Sequence, residues 1–262
     1  MLQLRKSISL ESLQLPFKNA LERAASIGAE GIELNARTTL KPQDLSRTGV
    51  RQIRKWLGDY NLVVSCISYP TRRGLHDENQ LERRLEGIKS AMKMAGELGC
   101  SVVSNNLVSR SLSEGDPEWS TLLTTVQDLA NFSFKAGVWL AARTGKLNSE
   151  PLQQLLCSLP NGSIQIDFDP AELLIYQQSP VETMKNAASH VSHFRARDAV
   201  RDLSGGPTLP VQIGRGTVDF HELFGLLEEH HYRGFVTVEQ SSRERYTSEC
   251  EQAFSYLDEL FR

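Results

Sequence analysis

The chain has 262 residues, 40% apolar and 23% charged, and its 29 Lys and Arg against 32 Asp and Glu leave a formal net charge of -3. That length can bury the core of one (β/α)8 barrel, typically about 250 residues. The near-neutral balance excludes a general attraction to nucleic acid or anionic lipid.

No run reaches the roughly 18 apolar residues of a membrane span. The opening MLQLRKSISLESLQ has no apolar stretch after its basic pair, so no secretory signal is expected and the protein is expected in the cytoplasm. Cys66, Cys100, Cys157 and Cys250 stand far apart without CxxC spacing. They fit buried free thiols in a reducing compartment better than a disulfide or a zinc site.

In chain order, a strand near Arg5–Leu10 is followed by a helical pattern over Phe17–Ile27 and the strand-length run GIEL from 31. Next come a helix over Leu45–Asp59, LVVSCIS from 62, a helix over Gln80–Leu98, SVVS from 101 and a helix over Leu122–Lys135. GVWLAA from 137, a helix over Glu150–Ser158, SIQIDFD from 163, a helix over Pro180–Ala188 and HVSHFRA from 190 continue the alternation. SGGPTLP (Ser204–Pro210) reads as an extended loop. A helix over Phe220–His230, GFVTVE from 234 and a helix over Thr247–Phe261 close the chain. Strands separated by helices pair in parallel, because a parallel pair cannot be joined by a tight turn. About eight such units closing on themselves predict a single (β/α)8 barrel domain over residues 1–262, with an open doubly wound sheet as the alternative. No GxGxxG follows the first strand, which speaks against dinucleotide binding.

Strand side chains alternate between two faces. In SIQIDFDP, Ile164, Ile166 and Phe168 share the face suited to helices, while Ser163, Gln165, Asp167 and Asp169 face the barrel axis. In FVTVE, Thr237 and Glu239 point inward. His193 and Arg195 oppose Phe194 and Ala196, Arg143 shares the parity of Ala141, and Glu33 opposes Ile32 and Leu34. Five strands thus end in inward-pointing polar groups at the C-terminal end, where barrels of this type place their sites.

At this point the chain resembles the xylose-isomerase-like sugar isomerase and epimerase family, in which related barrels also serve as inosose dehydratases and endonuclease-type DNA repair enzymes. ALERAASIGAEGIEL at 20, RQIRKWLGDYNLVVSCISYPTRRGL at 51, IDFDPAELL at 166, FRARDA at 194 and VQIGRGTVDFHELFGLLEEHHYRGFVTVEQ at 211 carry the resemblance. It implies a divalent-metal site of Glu, Asp, His and Glu at strand ends. Asp169 of FDP and Glu239 of TVEQ match. Arg143 stands where members have LALETG, and Arg195 stands where the His would precede an AKD-like segment. A guanidinium has no lone pair for a metal but pairs bidentately with carboxylates. No cofactor is therefore expected, with Arg143 and Arg195 taking the cation's electrostatic role. A displaced Mn, Mg or Zn site of Asp167, Asp169, His193 and Glu239 is the alternative.

The functional expectation is an isomerase or epimerase acting on a small polyhydroxy or phosphorylated metabolite. Glu239 or Asp169 would serve as base and Arg143 with Arg195 as electrophile, with Glu33, Asp167, His193, Arg197 and Arg215 as substrate contacts. Arg215, in IGRG, lies where many barrels bind phosphate. The competing reading is an idle relative that binds an anionic metabolite or partner protein; an oligomer is left open. A metal-dependent nuclease would need more His than these strands supply. Plainer roles stand beside each assignment. Asp169 and Glu239 fit structural salt bridges, His193 a satisfied interior histidine, Glu33 an ordinary strand-end carboxylate and Arg215 a solvated loop arginine. Asp198 either orients Arg197 or caps a loop.

Overall fold

A computed structural model describes residues 4–160, 162–201, 206–239 and 246–260. Strands β1 (Arg5–Ser9), β2 (Gly31–Asn35), β3 (Val63–Ser68), β4 (Val102–Asn105), β5 (Trp139–Arg143), β6 (Gln165–Phe168) and β7 (Val191–Ala196) lie within a few residues of their expected places. After β7 come two short strands, β8 (Asp198–Val200) and β9 (Leu209–Val211), and then β10 (Phe235–Val238). Helices α1 (Phe17–Ser26), α2 (Arg47–Asp59), α3 (Leu81–Leu98), α4 (Trp119–Ala136) and α5 (Ser149–Ser158) fill the first crossovers. α6 (Pro170–Ile175), α7 (Pro180–Ala187), α8 (Phe220–Glu229) and α9 (Tyr246–Leu260) follow.

Strands β1 to β7 and β10 form one closed parallel barrel, with β1 hydrogen-bonded to both β2 and β10. Closure rules out the open doubly wound sheet. Two elements depart from expectation. The short helix α6 follows directly on FDP: the Asp169 carboxylate caps it by accepting from Glu172 N at 3.0 Å, and Pro170 occupies its first turn. The extended loop is in part a strand, since Leu209 and Pro210 belong to β9, which pairs antiparallel with β8; Ser204 and Gly205 lie outside the described residues, as does Phe261 at the end of the last helix. Of the four cysteines, all free, three are buried, but Cys157 at the end of α5 is exposed. Among the described residues no helix is long and apolar enough to cross a membrane.

The outward strand face is the apolar layer that the alternation predicts. Ile8, Ile32, Ile67, Leu140, Ile166, Phe168, Phe194 and Val236 are fully buried. Burying such a side chain contributes roughly 1.5–3 kcal/mol. Phe168 stacks on Phe194 with ring centroids 5.7 Å apart, and Phe194 packs on Phe224 of α8 at 5.2 Å. This aromatic block fixes β6 against β7 and so fixes the inward groups that alternate with it. The inner face carries Ser7 Oγ and Ser65 Oγ, 2.6 Å apart, and a small apolar cluster of Cys66, Val102 and Ala141. Register shifts fall between Ile32 and Glu33 against β3, and between Ile166 and Asp167 against β7. Each shift directly precedes an inward carboxylate, the position where a bulge re-aims a side chain.

Asp198, just beyond β7, caps a loop and does not orient Arg197. Its carboxylate accepts from the backbone N–H groups of Ala199 (2.8 Å), Gly214 (3.0 Å), Gly216 (2.8 Å) and Val218 (3.2 Å). A side chain at residue 216 would collide with that carboxylate, which is why Gly stands there. Asp198→Ala leaves several donors without their partner and is expected to lower stability by about 2 kcal/mol in urea denaturation. Faster amide exchange at Gly214, Gly216 and Val218 is expected with it; unchanged exchange would show the loop is held by something else.

Candidate functional site

Arg143 from β5, Asp169 after β6, Arg195 from β7 and Glu239 after β10 meet at the C-terminal mouth, as their shared parity predicts. Arg143 Nη2 donates to Asp169 Oδ2 at 2.7 Å and to Glu239 Oε2 at 3.2 Å, while its Nε reaches Asp169 Oδ2 at 3.1 Å. Arg195 Nη1 donates to Glu239 Oε2 at 2.5 Å, joining the two halves of the cluster.

Arg195 sits lowest, with a side chain 1% exposed. It spans Glu33 bidentately, Nη1 to Oε2 at 2.9 Å and Nη2 to Oε1 at 3.1 Å, and its Nε donates to Asp167 Oδ2 at 2.8 Å. Asp167 is fully buried, and Ser104 Oγ donates to the same oxygen. Its other oxygen lies 2.7 Å from His193 Nδ1, and His193 Nε2 lies 2.7 Å from Thr237 Oγ1. His193 is therefore an interior histidine with both ring nitrogens partnered. Glu33, Asp167 and His193 form the floor beneath the mouth.

The upper part is more open. Arg143, Glu239 and Glu172 have side chains 17%, 25% and 24% exposed. Arg197 is the third guanidinium, donating from Nη1 to Asp169 Oδ2 at 2.5 Å and to Glu172 Oε2 at 3.4 Å. Two narrow clefts flank this level. One runs beside Arg143, Lys146, Leu152 and Glu172; the other runs beside Arg197, Ile213 and Glu239. Arg215 is exposed on the loop before α8, and among the described residues no hydrogen bond or ion pair ties its side chain to the cluster.

Opposing effects set the ionisation here. Burial alone pushes each carboxyl group toward its neutral form. Against it, Arg195 and His193 hold Asp167, and all three guanidiniums hold Glu239, well below the usual carboxylate range, while Arg197 and Arg143 lower Asp169. Burial likewise works against the charged arginines, but the carboxylates outweigh it and keep Arg143, Arg195 and Arg197 more firmly protonated than in water.

Three partners went unnoticed in the sequence. Ser104 holds Asp167, and its inward parity in SVVS was the available signal. Glu172 follows Asp169 by three residues, the spacing of a helix-start capping pair. Thr144 Oγ1 accepts from Asp169 N at 2.8 Å, a contact between two loops that no local pattern marks.

The fold and the mouth define a parallel eight-stranded barrel whose charged centre lies at the C-terminal strand ends. The chain belongs to the xylose isomerase-like TIM barrel family, whose model matches residues 21–260. It is similar to an inosose dehydratase of Clostridium botulinum (strain Alaska E43 / Type E3), 20% identical over 253 residues, covering 85% of this chain and 81% of that protein. It is also similar to fructoselysine 3-epimerase of Escherichia coli O157:H7, 24% identical over 246 residues and covering 86% of each. Among solved structures, a xylose isomerase domain protein from Planctomyces limnophilus superposes with a TM-score of 0.83 at 20% identity. That match covers 92% of this chain and 91% of the other, and it speaks for the fold.

The family resemblance implies a divalent cation, and the residues present do not fit one. Two of the four expected ligand positions are guanidiniums, which offer no lone pair. Arg195 Nη1 already stands between Glu33 and Glu239, where a cation would meet their oxygens. The displaced set fares no better, because both nitrogens of His193 are taken, Asp167 is occupied by Arg195, Ser104 and His193, and Asp169 by Arg143 and Arg197. Among the described residues no three His, Cys, Asp or Glu side chains are arranged to hold a metal.

The depressed carboxylates make a pH prediction. Between the folded and unfolded pKa values the unfolded chain binds more protons, so stability falls as pH falls. The urea midpoint is expected to be steady from neutral pH to about pH 5 and to drop steeply below about pH 4, where the unfolded carboxylates protonate. A midpoint unchanged down to about pH 2 would show that the arginines do not hold Asp167, Asp169 and Glu239 ionised.

Proposed function

We propose that the chain is a sugar isomerase/epimerase-type enzyme that moves a proton beside the carbonyl of a small polyhydroxy or phosphorylated metabolite, with guanidinium groups in the electrophilic role. One observation carries this reading: in the charged network an acid–base pair of opposite kind, Arg143 and Glu239, is partly exposed to solvent and joined only by long contacts, 3.2 and 3.5 Å. Arg195, Asp167 and Glu33 beneath them are buried and tightly paired.

A carbonyl oxygen entering the mouth competes with Glu239 for Arg143. When Arg143 turns to that oxygen, Glu239 loses one of the three charges that depress it and becomes more basic. Glu239 then takes the proton from the carbon next to the carbonyl. The electron pair of that C–H bond forms the carbon–carbon double bond of an enediolate, and the carbonyl electrons move onto oxygen, where Arg143 stabilises the negative charge. Return of the proton to the former carbonyl carbon, as the hydroxyl proton of the neighbouring carbon passes to the oxygen held by Arg143, gives an isomer; protonation of the original carbon by water from the opposite face, with Glu239 giving its proton up to solvent, gives an epimer. Asp169 and Arg195 hold the pair in place, while Arg197 and the exposed Arg215 suit the substrate's far end, a phosphate in the case of Arg215. The relatives named above, a dehydratase and an epimerase of polyhydroxy compounds, support this substrate class.

A second reading is favoured by one fact. Glu239 at rest is held well below the carboxylate range, which makes it a weak base. On that reading the mouth binds such a metabolite and turns nothing over. Incubation of wild type with ketoses and ketose phosphates in deuterated water separates the two. Carbon-bound deuterium that disappears in Glu239→Gln, with a drop of at least about a hundredfold, is the expected result. Binding of the same compounds without exchange would leave the second reading standing.

A further inference from the structure

We infer that Arg195, together with Arg143, is a tethered stand-in for a divalent cation, and that the shell around it becomes a cation site when three residues are exchanged together. The inference does not depend on which metabolite the mouth takes or whether it is turned over.

Position is the first ground. Arg195 Nη1 contacts Glu33 and Glu239, its Nε contacts Asp167, and Arg143 Nη2 bridges Asp169 and Glu239. Four carboxylates from three strands, β2, β6 and β10, thus converge on two guanidiniums, as they would on one ion. Charge is the second ground. Four carboxyl groups (Glu33, Asp167, Asp169 and Glu239) face three guanidiniums (Arg143, Arg195 and Arg197), leaving one formal negative charge. Replacing Arg143 by Glu and Arg195 by His supplies the two missing ligands. Arg195 is also the partner of both Glu33 oxygens, so removing it would strand a buried carboxylate; Glu33→Gln avoids that. The triple variant with a divalent ion bound carries the same single negative charge as wild type, and without the ion it carries three. Support is the third ground. Asp169 keeps its Thr144, Glu172 and Arg197 contacts after the exchange, the kind of outer partners that orient metal-binding carboxylates.

The test compares thermal melts of wild type, R143E and the triple variant E33Q/R143E/R195H in MnCl2 and in EDTA, with elemental analysis of dialysed wild type. R143E alone adds a carboxylate while removing a cation and is expected to melt about 10 °C below wild type in both buffers. The triple variant is expected to melt about 5–10 °C higher in Mn²⁺ than in EDTA, and addition of Asp169→Asn is expected to abolish that rise. Wild type is expected to melt identically in both and to carry no stoichiometric metal. A triple variant that is unfolded in both buffers, or folded but indifferent to Mn²⁺, overturns the inference. So does a wild-type Mn²⁺ response that Asp169→Asn removes. Deuterium exchange on a ketose is read separately, so failure of the proposed proton transfer leaves these outcomes unaltered.

Discussion

A guanidinium that cannot give up its proton lies fully desolvated at the base of the barrel's mouth, and the surrounding acids are arranged to meet it. Moving such a charge out of water costs several kcal/mol even after relaxation, and only excellent geometry offsets it. Arg195 has that geometry: its fork is bidentate on Glu33, with Asp167 on one flank and Glu239 on the other. The acids are equally dependent on the arginine. Removing Arg195 would leave Glu33 and Asp167 buried with far less compensation, so neither side of the network stands without the other.

The barrel wall supports this in a specific way. Phe168 and Phe194 stack on the outer face of β6 and β7, and strand alternation then sends Asp167 and Arg195 inward. Register shifts just before Asp167 and Glu33 adjust their aim. Asp169 has two tasks at once, starting α6 through Glu172 N and holding Arg143 and Arg197. A substitution there would disturb a helix start as well as a charge cluster.

Rigidity is graded from floor to rim. The floor, from Thr237 through His193, Asp167 and Arg195, consists of short contacts without solvent. At the rim, where Arg143, Glu239 and Glu172 are partly exposed, the Arg143–Glu239 and Arg197–Glu172 contacts stretch to 3.2–3.5 Å, although Asp169 is held at 2.7 and 2.5 Å by Arg143 and Arg197. On the proposed function, a substrate oxygen would compete for the rim donors, and the buried floor beneath would hold them in place.

Much of this was legible in the primary structure, because period-two alternation is a local property. It assigned Arg143, Asp167, Asp169, His193, Arg195 and Glu239 to one face, and the family resemblance implied that the two arginines stand at metal-ligand positions. The depth of His193 was legible as well, since it stands two residues before Arg195 on the same strand; how the heights of groups on different strands compare was not, because that depends on the stagger of the closed sheet. Asp167 and His193 share parity with Asp169 and Arg195, and each stands two residues before its counterpart on the same strand. Short elements escaped for a related reason: α6 and the β8–β9 pair contain too few residues to show a period. Partners that cross between strands, such as Ser104 with Asp167 or Thr144 with Asp169, are set by the stagger of a closed sheet. The chain by itself determined which residues face the axis and that two of them cannot bind a metal. Only closure of the barrel decided which carboxylate meets which guanidinium, because hydrogen bonds between residues over a hundred positions apart, as between Glu33 and Arg195, exist only once β1 has paired with β10.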